Sequence, residues 1–194
     1  MMRRDEVLKI FARHVTDEIV VAVYAACFDW MSINPRDLNY VSTGAMGQAS
    51  SHALGLALGR PDKRVLVFDG DGSLMMNLGS LITIADMAPP NLVHFLFENG
   101  CYEVNGGHPL PGGGRVDFCG FARAAGYRSV VGFDDLVAFE RAVPGLIAAT
   151  GPLFACLKVI PGAPSPRDYE TIHGPAVRQS FRRALSASQP SPSK

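Results

Sequence analysis

Two short stretches carry the residue types that can hold an anion through a metal. Asp69-Gly70-Asp71-Gly72-Ser73 sets a carboxylate between glycines that admit a ligand close to the backbone, with Ser73 placed to open a helix. Glu98-Asn99-Gly100-Cys101-Tyr102-Glu103 offers an amide oxygen and free carbonyls. A carboxylate, an amide oxygen and a carbonyl are hard ligands that suit Mg²⁺, which prefers six oxygens and takes the rest from phosphate and water. Each stretch alone is ordinary turn material. What joins them is the separation of Asp71 and Asn99, 28 positions filled by one helix and one strand.

That separation matters because of the elements around it. Arg4 to His14 has apolar residues at helical spacing, and Glu18 to Tyr24 is a β-branched run that reads as a strand covered on both faces. Ser51 to Gly59 alternates small residues with leucines, which suits a helix packed close to a neighbour. Strands follow at Arg64–Phe68, Leu92–Phe97, Arg128–Val131 and Leu153–Ile160, separated by helices at Leu74–Met87, Phe118–Ala125 and Asp134–Ala149. Alternating strands and helices with right-handed crossovers predict an α/β fold: an open, mostly parallel, doubly wound sheet with helices on both faces. Residues 1–185 are read as one domain, with a short helix at Ala176–Leu185, and 186–194 as a flexible tail. In such a sheet ligands bind beyond the carboxyl ends of the strands, and neighbouring strands lie about 4.8 Å apart, so the two turns can reach one ion.

Composition narrows the function. The chain has 194 residues, 47% hydrophobic and 19% charged, with 18 basic against 18 acidic side chains. A neutral balance removes the long-range field of a nucleic-acid or anionic-membrane binder. No apolar run reaches the roughly 18 residues that span a bilayer, and the N-terminus does not read as a signal peptide. Cys27, Cys101, Cys119 and Cys156 form no Cys-x-x-Cys pair, so reduced thiols and a cytoplasmic location are expected. His14, His52, His94 and His173 belong to no recognisable constellation.

Ser42-Thr43-Gly44-Ala45-Met46-Gly47, Gly70 to Gly79 and Asn99 to Gly107 together resemble the signature of thiamine diphosphate enzymes, Gly-Asp-Gly followed after somewhat under thirty residues by an Asn-containing turn. The resemblance spans roughly Asn39 to Pro161 and points to the cofactor-diphosphate (PP) domain of the 2-oxoacid decarboxylase branch. Within that branch it is most similar to sulfopyruvate decarboxylase β chains and phosphonopyruvate decarboxylase. It implies that Asp71, Asn99 and the Cys101 carbonyl hold Mg²⁺, and that Gly72, Ser73 and the Val104 amide contact the diphosphate. Gly44, Ala45, Gly70 and Tyr102 join the cofactor site by the same match, Gly44 through its carbonyl. Met46 falls where relatives place an apolar side chain under the folded cofactor, and Asn105 and His108 are the candidates to face substrate. Many relatives carry Asn-Asn where this chain has Glu98-Asn99.

The resemblance also implies an absence. Thiamine chemistry needs a glutamate that protonates the aminopyrimidine, and in the family it lies on a separate PYR domain. A chain of 194 residues is too short for both domains. The expectation is therefore a β subunit completed by a PYR-domain α subunit, an α2β2 or larger hetero-oligomer that uses thiamine diphosphate and Mg²⁺. Its substrate is expected to be a 2-oxoacid with an anionic tail, for which Arg115 is the nearest candidate contact in this chain, the other tail-reading residues being expected largely on the partner. The alternatives are a carboligase subunit resembling acetolactate synthase and a noncatalytic cofactor-binding partner subunit.

Overall fold

The computed structural model describes residues 1–41, 46–112, 114–160 and 166–187. Its main sheet contains β1 (Met2–Arg3), β2 (Ile19–Ala22), β3 (Asn39–Val41), β4 (Val65–Gly70) and β5 (Leu92–Glu98). A separate antiparallel pair, β6 (Cys101–Tyr102) and β7 (His108–Pro109), follows, and β8 (Ser129–Phe133) and β9 (Leu153–Ile160) return to the main sheet. The strands run in the order β3-β2-β4-β5-β9, with β8 and β1 also pairing β9. Each of these pairings is parallel. The central strands are mainly apolar and almost wholly buried because both of their faces are covered.

The helices are α1 (Arg4–Ala12), α2 (Tyr24–Ile33), α3 (Ala49–Gly59), α4 (Asp71–Met75), α5 (Gly79–Met87), α6 (Phe118–Ala125), α7 (Leu136–Ala148), α8 (Tyr169–His173) and α9 (Pro175–Ala187). Helices α1, α2 and α7 pack on one face of the sheet around Phe11. Its ring centroid lies 4.7 Å from Phe68, 4.6 Å from Phe95 and 5.2 Å from Phe139. Truncating so central a ring to alanine costs about 3–5 kcal/mol. Helices α3 to α6 cover the other face, where Ala49, Ala53 and Ala57 leave α3 room to approach the strands.

This arrangement is the expected doubly wound α/β sheet, with two local corrections. The apolar run predicted as strand through Tyr24 stops at Ala22, and Tyr24, at φ +46°, turns the chain into α2. Helix α2 escaped the sequence because Ala26, Cys27, Phe28 and Trp30 are all buried and leave it no polar stripe. The predicted helix Leu74–Met87 is two helices. At the break the Met76 and Asn77 N–H groups bond three residues back, to Ser73 and Leu74, and Asn77 Nδ2 donates to the Gly47 carbonyl at 2.9 Å. Residues 186 and 187 continue α9, and the rest of the expected tail, 188–194, lies outside the described residues. Among the described residues no helix is long and apolar enough to cross a membrane.

The winding reverses between β2 and β4. From β2 the chain leaves through α2 on the Phe11 face toward β3, then returns through α3 on the opposite face to β4. The crevice at the carboxyl ends of these two strands is the topological switch point, where open α/β sheets bind ligands.

Candidate active site

A cleft opens at that switch point. Its lining comes from Tyr24 to Ala26 after β2, Met46, Gly70 to Ser73 after β4, Asn99, and Cys101 to Val104 after β5. The helices that follow β2 and β4 both start here, and neither start is capped by a side chain.

Asp71 is the centre of the arrangement. Its side chain is 1% exposed, and its two oxygens divide their bonding between two loops. Oδ1 accepts from the Gly72 N–H at 2.8 Å, and Oδ2 accepts from the N–H groups of Asn99 at 2.9 Å and Gly100 at 2.7 Å. Burial pushes the carboxyl up to about 6 against the downward pull of those three bonds, and the charge of Glu98 adds to the rise. A desolvated carboxylate bonded to backbone amides is stabilised by a positive charge, which a divalent cation would supply. Among the described residues no three or more His, Cys, Asp or Glu side chains group as a metal cluster. Asp71, Asn99 and backbone oxygen would together make a mixed donor set of the kind that suits a hard cation drawing further oxygens from phosphate.

The neighbouring residues are fitted to one another. A Cβ at Gly72 would lie 2.7 Å from Tyr102 Cδ1 and 3.1 Å from Leu110 Cδ2, so the glycine lets the tyrosine ring close over the start of α4. Gly70 has open space where a side chain would project. Ser73 Oγ, 4% exposed, accepts from the Gly47 N–H at 2.9 Å and ties the Met46-Gly47 turn to α4. Gly47 takes φ +82° and sits against Met76 and Asn77, a position that a larger residue would strain. Met46 is held at the mouth of the cleft by this turn.

Most of the sequence-derived site is brought together. Asp71, Asn99, Cys101, Gly70, Gly72, Ser73, Tyr102, Val104 and Met46 all line the cleft. The thiol of Cys101 is pushed up, first by burial and then by the charges of Glu103 and Asp71, which keeps it protonated and leaves the backbone as its useful part. Asn105 and His108 are exposed and do not line this cleft. Gly44 and Ala45 lie outside the described residues. Glu98 points elsewhere, accepting from Cys156 Sγ at 2.8 Å beside a second cavity of about 440 Å³ that also contains Arg115. Sequence reasoning missed Tyr24, Arg4 and Glu103, which reach the cleft through tertiary contacts that no local pattern reports.

Residues 21–155 match the family described as thiamine pyrophosphate enzyme, C-terminal TPP binding domain. The chain belongs to this family. As a TPP-binding domain it is 36% identical over 163 residues to the sulfopyruvate decarboxylase subunit beta of Methanothermobacter thermautotrophicus, covering 84% of each chain. It is 37% identical over 151 residues to the phosphonopyruvate decarboxylase of Streptomyces hygroscopicus, covering 78% of this chain and 37% of that relative. The benzoylformate decarboxylase structure from Polynucleobacter necessarius superimposes with a TM-score of 0.65 at 22% identity, over 84% of this chain and 34% of that one, a likeness of fold. The chain thus spans about a third of the larger relatives and most of the β subunit.

Proposed function

We propose that the chain is the diphosphate-binding β subunit of a thiamine diphosphate- and Mg²⁺-dependent decarboxylase, completed by a PYR-domain subunit that carries the activating glutamate. The observation that carries this reading is the buried Asp71 carboxylate, which accepts backbone N–H groups from the loops after both β4 and β5. The match to a decarboxylase β subunit along 84% of both chains supports the division into two polypeptides. The names of the relatives support a three-carbon 2-oxoacid with a sulfonate or phosphonate tail as substrate.

Bound thiamine diphosphate supplies a nucleophilic carbon and an electron sink for loss of CO₂. Asp71, the Asn99 side-chain oxygen and the Cys101 carbonyl would hold the cation, and Gly72, Ser73 and the Val104 N–H would contact the diphosphate. Met46 would support the cofactor through its apolar side chain. Tyr102 and Leu110 close over the start of α4 and exclude water from the anionic end of the site. Asn105 and His108, exposed in this chain, are assigned to the substrate side of the interface with the PYR subunit.

The test is to purify the chain with a PYR-domain partner and assay sulfopyruvate and phosphonopyruvate with thiamine diphosphate and Mg²⁺, following CO₂ and the aldehyde product. Turnover that needs both chains is expected. Turnover by this chain alone overturns the divided site, and a carbon–carbon coupled product in place of the aldehyde moves the chain to the carboligases.

A further inference from the structure

Arg4 stands at the first position of α1 and precedes Glu103 by 99 positions, yet it is 3% exposed and lies beside the cleft. Its Nε donates to Asp29 Oδ2 at 2.7 Å, and its two terminal nitrogens grip the Glu103 carboxylate, Nη1 on Oε2 and Nη2 on Oε1 at 3.0 Å. Glu103 Oε2 in turn accepts from Asn99 Nδ2 at 2.9 Å. At its other end Asn99 Oδ1 accepts from the Cys101 N–H at 3.0 Å. An asparagine amide has two ends of similar shape and opposite polarity, and only the oxygen can ligate a cation. A carboxylate on one side and an N–H on the other admit one orientation. The oxygen keeps a second lone pair for a ligand.

We propose that Arg4, acting through Glu103, is a positioning residue that fixes the polarity of the Asn99 amide so that its oxygen serves the cation site. The proposal rests on the metal reading of Asp71 and Asn99 given above. The forked guanidinium–carboxylate pair suits the task because it restrains both position and rotation of Glu103. Asp29 supplies a second acceptor, so the buried guanidinium remains compensated.

The test measures Mn²⁺ uptake by electron paramagnetic resonance in the full chain with thiamine diphosphate, and thermal unfolding of the same samples without metal. Glu103→Ala should weaken Mn²⁺ binding about 10- to 100-fold, the usual range when the partner of a metal ligand is removed. The decisive comparison is the same substitution in an Asn99→Asp chain. A carboxylate presents oxygen whichever way it is turned, so Glu103→Ala should then cause no loss of affinity. Arg4→Lys, which keeps the charge and loses the fork, is the second variant and should show the same pattern at smaller amplitude. Equal losses in both backgrounds, or no loss in the Asn99 chain, overturn the positioning role. Failure of both the wild-type and the Asn99→Asp chain to take up Mn²⁺ overturns the metal reading itself.

Discussion

The Tyr102 ring occupies the space that a side chain at residue 72 would need, with Cδ1 2.7 Å and Cε1 2.8 Å from the position of a Cβ on Gly72. The glycine of the Gly-Asp-Gly turn is therefore required by a contact within the protein, independently of any ligand.

Gly72→Ala should destabilise the chain by about 1–3 kcal/mol through overpacking and weaken thiamine diphosphate binding at least tenfold, because the ring must leave the start of α4. Adding Tyr102→Ala should restore the stability and leave the affinity loss. Urea unfolding and cofactor titration of the two variants separate these effects, and additive stability losses would show that the Gly72–Tyr102 contact is not their source.

Asp71 makes the metal-free chain more stable as pH falls. Its carboxyl lies at about 6 in the fold against 3.8 for the ordinary group, so between those values the folded chain binds more protons than the unfolded one. The gain should be about 1 kcal/mol between pH 7 and pH 5. Stabilisation by Mg²⁺ with cofactor should run the other way and shrink below pH 6 as protons compete for the carboxylate. Asp17, held low by the hydrogen bond from Lys63, contributes oppositely, and only below about 4. Denaturant titrations at pH 7 and 5, with and without Mg²⁺, check both signs.

Ser73→Ala removes the acceptor of the buried Gly47 N–H. A loss of about 1–3 kcal/mol follows from an unsatisfied buried donor, and the Met46 turn should loosen with it. Hydrogen exchange at the Gly47 amide should accelerate in the variant. Unchanged protection would separate this turn from the α4 start.

The four cysteines should differ sharply toward iodoacetamide. Proximity to the Cys156 sulfur and the charge of Arg123 hold Cys119 below the ordinary thiol value, while burial pushes Cys27 up to about 12 and also raises Cys101. Alkylation at pH 7.5, followed by peptide mass spectrometry, should mark Cys119 first, although Cys101 lies in the active-site cleft. Cys101→Ser should leave metal affinity essentially unchanged, since the proposed site uses its carbonyl.

The sheet was legible because Arg64–Phe68, Leu92–Phe97 and Leu153–Ile160 are mainly apolar runs separated by helical patterns, the layout expected of a covered parallel sheet. The placement of Asp71 and Asn99 was legible for the same reason: both follow neighbouring strands, and the fold aligns the carboxyl ends of parallel neighbours. Helix α2 was not legible. An almost uniformly apolar sequence erases the periodicity by which a helix is recognised, and Tyr24 adopts a positive φ that no sequence rule assigns to an aromatic residue.

The sequence alone determined the fold class and which turns carry hard oxygen donors, because apolar strand runs, helical patterns and turn residues are expressed over short spans of chain. Tertiary structure alone decided how those donors are aimed. The Arg4–Glu103–Asn99 chain of bonds, the Tyr102 ring over Gly72 and the Ser73–Gly47 tie each join residues far apart in sequence. Orientation of an amide or a ring depends on whatever group folding places beside it, and that neighbour leaves no mark on the local pattern.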